Sequence, residues 1–198
     1  MDKLTLYLVD VKDKSLSELL PILNLNEEEL GKVYKYKVDR ARKEEAVSIY
    51  LKRKYIGEYS LNEFGKPISH KTHFNISHSN GVIGLAISPN KEVGLDIEMV
   101  KQEKEGIASY VNSSEELKNI KDSLDFFRSW TSKESLLKCI GTGIKGDLKE
   151  VPAFPLNGKK TYAGVAYFAK SLVKEDIVIS LTTLGEEDFE IDIQELYL

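Results

Sequence analysis

One cysteine stands in the 198 residues, so no disulfide can form within the chain. With three histidines beside it, a zinc site is poorly supplied with ligands. Long apolar runs are also missing. Leu4 to Val9 is the nearest approach, far too short to cross a bilayer, and nothing resembles a secretory leader. Nor is there an excess of charge: 28 Lys and Arg against 32 Asp and Glu leave a net charge of −4, spread along the chain. No whole-molecule field then favours nucleic acid, and any anion site must be local. These absences lead us to expect a cytoplasmic protein with neither membrane nor nucleic-acid partner. What is present is ordinary for a folded protein: 41% hydrophobic and 30% charged residues, enough for one domain or two small ones packed together.

Leu4 to Val9 reads as a buried strand and Ser15 to Leu23 as a short helix with Leu16, Leu19, Leu20 and Leu23 on one side. Asn26 followed by three glutamates starts a helix expected to continue to about Ile56, its middle crowded by Lys32, Lys35, Lys37, Arg40, Arg42 and Lys43. Those cations suit a solvated face, with reach enough for one or two of them to hold a phosphate. Asn62 to Pro67 is a turn that holds Lys66 on a fixed backbone. From His73, alternation puts Phe74, Ile76 and His78 on one face and His73, Asn75 and Ser77 on the other. That alternation separates the histidines and argues against a joint metal site. Turns at Ser79-Asn80-Gly81 and Ser88-Pro89-Asn90 bound strands at Val82 to Ile87 and Val93 to Glu98, read as one antiparallel meander. Lys101 to Gly106 is a polar seam, followed by short helices at Ile107 to Val111 and from Ser113, then a long helix from about Asp122 to Ile140 with Phe126, Trp130 and Leu137 as a core stripe. Strands at Tyr162 to Phe168, Ile177 to Leu184 and Glu190 to Ile193 are expected to close a second sheet.

The chemistry concentrates at Val93-Gly94-Leu95-Asp96-Ile97-Glu98. As a strand it sends the apolar trio one way and Gly94, Asp96 and Glu98 the other. Neighbouring carboxylates on one face repel, and a hard, oxygen-seeking cation resolves the conflict. An ordinary half-buried strand has the same pattern. Glu134, on the long helix, is the best third carboxylate for an oxygen cage with Asp96 and Glu98. Lys133, Lys138, Lys66 and His78 would then supply positive charge to a phosphorylated ligand, which suits displacement at a metal-bridged phosphate or pyrophosphate.

In this order, Gly65-Lys66-Pro67, Phe74-Asn75-Ile76-Ser77-His78-Ser79, Val93-Gly94-Leu95-Asp96-Ile97-Glu98 and Trp130-Thr131-Ser132-Lys133-Glu134-Ser135-Leu136-Leu137-Lys138 resemble the successive signatures of the Sfp-type 4'-phosphopantetheinyl transferases. The resemblance is strong from Asp39 to Gly143 and weaker at both ends. It implies an α+β fold of two similar α/β halves, each a small, mostly antiparallel sheet packed with a long helix, here residues 1–100 and 101–198. It also implies a monomer that moves the phosphopantetheine arm of coenzyme A to a serine of an acyl or peptidyl carrier protein, using magnesium. By position, Asp96, Glu98 and Glu134 resemble the metal ligands, with Glu134 also taking the serine proton, and Lys138 the lysine on the pyrophosphate. Ser77, His78 and Lys66 resemble residues that hold the coenzyme's phosphates and nucleotide, and Arg42 the arginine on its 3'-phosphate. Glu134, Lys138 and His78 are then the expected catalytic group, and Lys133 joins the expected coenzyme-binding set. The chain departs from the family at Asn26 to Glu29, where relatives carry phosphate-binding lysines, and at Thr142, where Gly-Lys-Gly is common; Lys32 and Lys145 are the candidate substitutes.

Two other readings use the same residues: a metal-dependent phosphohydrolase with water as nucleophile, and a non-catalytic coenzyme A binding module, against which an intact Glu134 and Lys138 argue. Ile107 to Lys121 is the expected docking segment for the carrier, through Ile107, Ala108, Tyr110 and Val111 with Lys118 and Lys121 at the rim; the alternative is that the apolar members pack inward.

Overall fold

The computed structural model describes residues 2–102, 106–143 and 146–198. In chain order the first half has β1 (Asp2–Asp10), α1 (Leu16–Leu23), α2 (Glu27–Val33), α3 (Asp39–Tyr55), β2 (Ser60–Leu61), β3 (Pro67–Ile68), β4 (His73–Ser79), β5 (Val82–Ser88) and β6 (Val93–Met99). The second has α4 (Ile107–Val111), α5 (Ser114–Leu117), α6 (Ser123–Ile140), a 3-10 turn at Leu148–Glu150, β7 (Gly158–Tyr162), β8 (Val165–Lys174), β9 (Ile177–Leu184) and β10 (Phe189–Leu196). The fold is mixed α+β, as expected.

Two four-stranded sheets, ordered β10-β1-β5-β4 and β6-β9-β8-β7, lie face to face. Every pairing is antiparallel except that of β1 with β10. Alternation along β1 and β5 feeds two cores. Leu4, Leu6, Leu8, Val82 and Ala86 meet Leu95, Ile97, Ile179 and Leu181 between the sheets. Val9, Ile83 and Leu85 turn outward to Leu19, Ala46, Val47 and Leu51 of α1 and α3. Helix α6 covers the outer face of the second sheet, giving four layers in the order helix, sheet, sheet, helix. Gly84 sets the sheet spacing, because a Cβ there would lie 2.4 Å from Ile97 Cδ1.

Four elements differ from the sequence expectation. The long first helix is broken between Val33 and Asp39. Tyr34, Tyr36 and Val38 are weak helix formers, and Arg42 fastens the break, its Nε donating to Tyr36 O at 2.8 Å with its guanidinium 5.6 Å over the Tyr34 ring. Second, β6 does not extend the meander. Both edges of β5 are already taken, by β1 and β4, so β6 crosses to the other sheet and pairs with β9. Third, the last strand joins the first sheet, where β1 has a free edge, and Phe189 reaches the core between the sheets. The expected strand from Tyr162 to Phe168 is in fact a hairpin, turning at Ala163-Gly164 with φ of 50° and 75°.

Candidate functional site

The site forms where β4 and β6, edges of different sheets, run side by side. Gly94 decides how close α6 comes to that seam. A Cβ on it would lie 1.9 Å from Ser135 O and 2.3 Å from Cys139 N, so only glycine lets the helix backbone rest on the strand. Glu134 and Lys138, one turn apart, are thereby brought over Asp96. The room that Gly94 leaves is filled by helix.

Lys138 Nζ donates to Asp96 Oδ1 at 2.6 Å and to Ser77 Oγ at 3.1 Å, and Ser77 Oγ donates to Asp96 Oδ1 at 3.2 Å. Glu98 Oε2 accepts from Ser79 Oγ at 2.8 Å. Burial pushes the Asp96 carboxyl up to about 6; Lys138 opposes the shift, and Glu134 and Glu98 add to it. Glu134 is raised for the same first reason, with Lys138 opposing and Glu98 reinforcing. Asp96 Oδ2 and Glu134 Oε1 are buried with no hydrogen-bond partner. Two orphaned carboxylate oxygens facing one small region are a cost unless something positive meets them.

Among the described residues, no three His, Cys, Asp or Glu side chains are gathered into a ready metal cluster. The donors nevertheless suit a hard divalent cation, being carboxylate oxygens left unsatisfied by the protein. The cleft beside them is lined by Ser77, His78, Asp96, Glu98, Glu134 and Lys138, with Glu45, Ser48 and Lys52 of α3 opposite and Trp130 at one end. A second cleft opens on the other side of Glu134 and Lys138, between Gly65, Lys66, Pro67 and Gly141. The expected histidine separation is present: His78 Nδ1 lies 3.3 Å from Glu44 Oε2, whereas His73 Nδ1 lies 2.8 Å from Glu92 Oε1.

Other expected site residues fall elsewhere. Lys133 is fully buried and turned away from the cleft. Its Nζ donates to Glu116 Oε2 at 2.8 Å, Leu148 O at 3.0 Å and Val151 O at 2.5 Å. The reason is helical: successive residues point about 100° apart, so Glu134 in the cleft puts Lys133 behind it. Lys66 borders the second cleft, but its Nζ is held by Glu92 Oε2 at 2.6 Å and Cys139 O at 2.9 Å. Arg42 lies one turn before Glu45, engaged with Tyr36. Lys32 pairs with Glu28 at 2.9 Å on α2; Lys145 lies outside the described residues, as does part of the 101–106 seam. The docking segment splits: Tyr110 is 75% exposed, whereas Val111 is 2% exposed and packs with Phe126, Phe127 and Val178.

Sequence reasoning missed Glu45, Ser48 and Lys52. Their spacing marks one helical face, hidden among the charges of α3. It also missed the charged cluster behind α6, where Lys160 Nζ donates to Ser132 Oγ at 2.5 Å and Pro152 O at 3.1 Å. Burial pushes Lys160 down to about 7, helped by Lys133 and opposed by Glu116.

The sequence model of the 4'-phosphopantetheinyl transferase superfamily matches residues 92–183. Similar proteins include the 4'-phosphopantetheinyl transferase gsp of Aneurinibacillus migulanus, 41% identical over 94 residues, covering 43% of this chain and 39% of that protein. The 4'-phosphopantetheinyl transferase HetI of Nostoc sp. is 27% identical over 121 residues, 57% of this chain and 51% of that one. The L-aminoadipate-semialdehyde dehydrogenase-phosphopantetheinyl transferase of Homo sapiens is 34% identical over 119 residues, 47% and 38%. The chain thus spans about half or less of the length of these curated relatives. The matched segment, just under half of the chain, carries β6, α6 and the residues Asp96, Glu98, Glu134 and Lys138, so the likeness to the 4'-phosphopantetheinyl transferase superfamily falls on the residues of the cleft.

Proposed function

We propose that the chain transfers the 4'-phosphopantetheine group of coenzyme A to a serine of an acyl or peptidyl carrier protein. The observation that carries this is the meeting of Asp96 and Glu134, each with an orphaned buried oxygen, beside Lys138, within the segment that matches the superfamily. In the reaction the serine oxygen attacks the phosphorus attached to pantetheine. The bond from that phosphorus to the bridging oxygen of the pyrophosphate breaks, and adenosine 3',5'-bisphosphate leaves with the electron pair. Glu134, its basicity raised by burial, takes the serine proton. Lys138, on the cleft wall, meets the pyrophosphate charge, and His78, exposed beside Glu44, extends the anion site.

Magnesium fits this site: Asp96, Glu98 and Glu134 would hold it, and when bound it would neutralise charge on the bridging phosphates. Coenzyme A would enter between β4 and α6, its phosphates toward Ser77, His78 and Lys138 and its nucleotide toward Gly65, Lys66 and Pro67. Arg42 is retained for the 3'-phosphate on its position in α3, one turn from the cleft-lining Glu45. Lys133 is not, because its ammonium is enclosed. We also read the fold as two related halves, divided near the 101–106 seam, with β6 and β10 each seated in the other half's sheet. We infer a cytoplasmic setting from composition and a monomer from the family resemblance. The carrier meets Tyr110 and Ile107, the two exposed large members of the apolar docking group.

The test is to incubate the protein with coenzyme A, magnesium and a panel of carrier proteins and weigh the carriers. A gain of one phosphopantetheine group on a carrier serine is the expected result. Cleavage of coenzyme A without a carrier would make the protein a phosphohydrolase, and binding without consumption a coenzyme A module.

A further inference from the structure

Strand geometry sends alternate amides of β6 to opposite edges, so those not bonded to β9 need acceptors. The edge facing β4 has them, but they are side chains. Leu95 N–H donates to Asn75 Oδ1 at 2.9 Å, Ile97 N–H to Ser77 Oγ at 3.2 Å and Met99 N–H to Ser79 Oγ at 3.2 Å. Three rungs at the same offset of twenty residues form a parallel ladder in which β4 contributes side chains where a sheet would contribute carbonyls. Each serine does more than close a rung. Ser77 also donates to Asp96, and Ser79 also donates to Glu98 Oε2 at 2.8 Å, so one oxygen grips both the strand backbone and the carboxylate that strand carries. The Asn80-Gly81 turn, with φ of 49° and 84°, fixes the end of β4 where Ser79 stands.

We propose that Ser79 is a positioning residue: it fixes the register of β6 at Met99 and aims the Glu98 carboxylate into the cleft. Among the described residues it is the hydrogen-bond donor that Glu98 has. Losing it frees a half-exposed carboxylate to turn toward solvent and leaves the Met99 amide without its acceptor. The proposal rests on the transferase reading for its kinetic consequence, while the register itself is independent of that reading.

The experiment compares Ser79→Ala, Ser79→Thr, Glu98→Ala and the Ser79→Ala/Glu98→Ala pair. Expected for Ser79→Ala is roughly a 10-fold loss of kcat with the KM for coenzyme A nearly unchanged, as for other residues that orient a ligand set. Ser79→Thr, which keeps the hydroxyl, restores the rate. In the Glu98→Ala background, removing Ser79 costs nothing further, because its effect passes through Glu98. Two readouts need no turnover: amide exchange resolved at Met99 speeds up about tenfold in Ser79→Ala while Ile97 is unchanged, and the rise in melting temperature on adding magnesium chloride shrinks. A rate loss of the same factor in the Glu98→Ala background, or wild-type exchange at Met99 together with a wild-type magnesium response, overturns the proposal. If the wild-type protein modifies no carrier, the transferase reading falls, and exchange and magnesium response still decide the role of Ser79.

Discussion

Helix α6 carries buried charge on two sides, and the two are opposites. Toward β6, the carboxylates of Asp96, Glu98 and Glu134 gather with Lys138 bonded to Asp96 alone among them, and Asp96 Oδ2 and Glu134 Oε1 lack partners. Behind it, Lys133 and Lys160 share Glu116, and the surplus ammonium is met by the carbonyls of Leu148, Val151, Pro152 and Ala153, while Glu116 Oε1 accepts from Ala153 N–H at 2.7 Å. The rear cluster is therefore complete: it staples residues 148–153 across the helix. The front one is left open. The comparison teaches that buried charge alone does not mark a site; unmatched oxygen atoms beside a cleft do.

The largest effect should come from disturbing the contact that seats α6, and with it both clusters, on β6. Gly94→Ala forces a methyl into the α6 backbone, so a loss of more than about 4 kcal/mol in chemical denaturation is expected, with activity lost as well. Neighbouring substitutions on α6 should then separate. Glu134→Gln should lower carrier modification by about 10²- to 10⁴-fold with the melting temperature unchanged or higher. Lys133→Ala should cost about 3–5 kcal/mol of stability by stranding Glu116, and a rate loss without unfolding would restore Lys133 to the phosphate site.

The two sides should also titrate in opposite directions. Asp96, raised to about 6, holds its proton longer folded than unfolded. In chelator, stability should therefore fall as pH rises from about 4 to 6, by up to about 3 kcal/mol, and Asp96→Asn should flatten that slope. Lys160, lowered to about 7, binds its proton less well folded than unfolded. Stability should rise from about pH 7 toward 10, and Lys160→Met should remove that gain. Parallel slopes for both variants and wild type in melting curves would dissolve the contrast. Smallest of all, Tyr110→Ala should raise the KM for the carrier a few-fold while leaving the melting temperature within a degree or two, since its side chain is outside the core.

Much of this was legible along the chain, because some of its signals are local. Alternation alone assigns Val93, Leu95 and Ile97 to a core and Asp96 and Glu98 to the other face, and the structure keeps that division. The ends of α6 follow from Asp122, which caps its first turn, and Gly141, which leaves it at φ 77°. Helical period allows Glu134 and Lys138 to share a face, but proximity in sequence misled for Lys133. The same closeness misled for β6: its natural partner by sequence was β5, and occupied edges sent it elsewhere.

The sequence by itself determined which residues alternate, cap and turn, and hence which carboxylates point together, because these depend on backbone geometry over a few residues. Only the tertiary structure decided that β4 side chains would stand in for a β-ladder against β6, that α6 would rest on Gly94, and that Lys133 and Lys160 would face carbonyls rather than a cleft. Those outcomes depend on which edges and faces remain free after the cores form, and residues far apart in the chain compete for them.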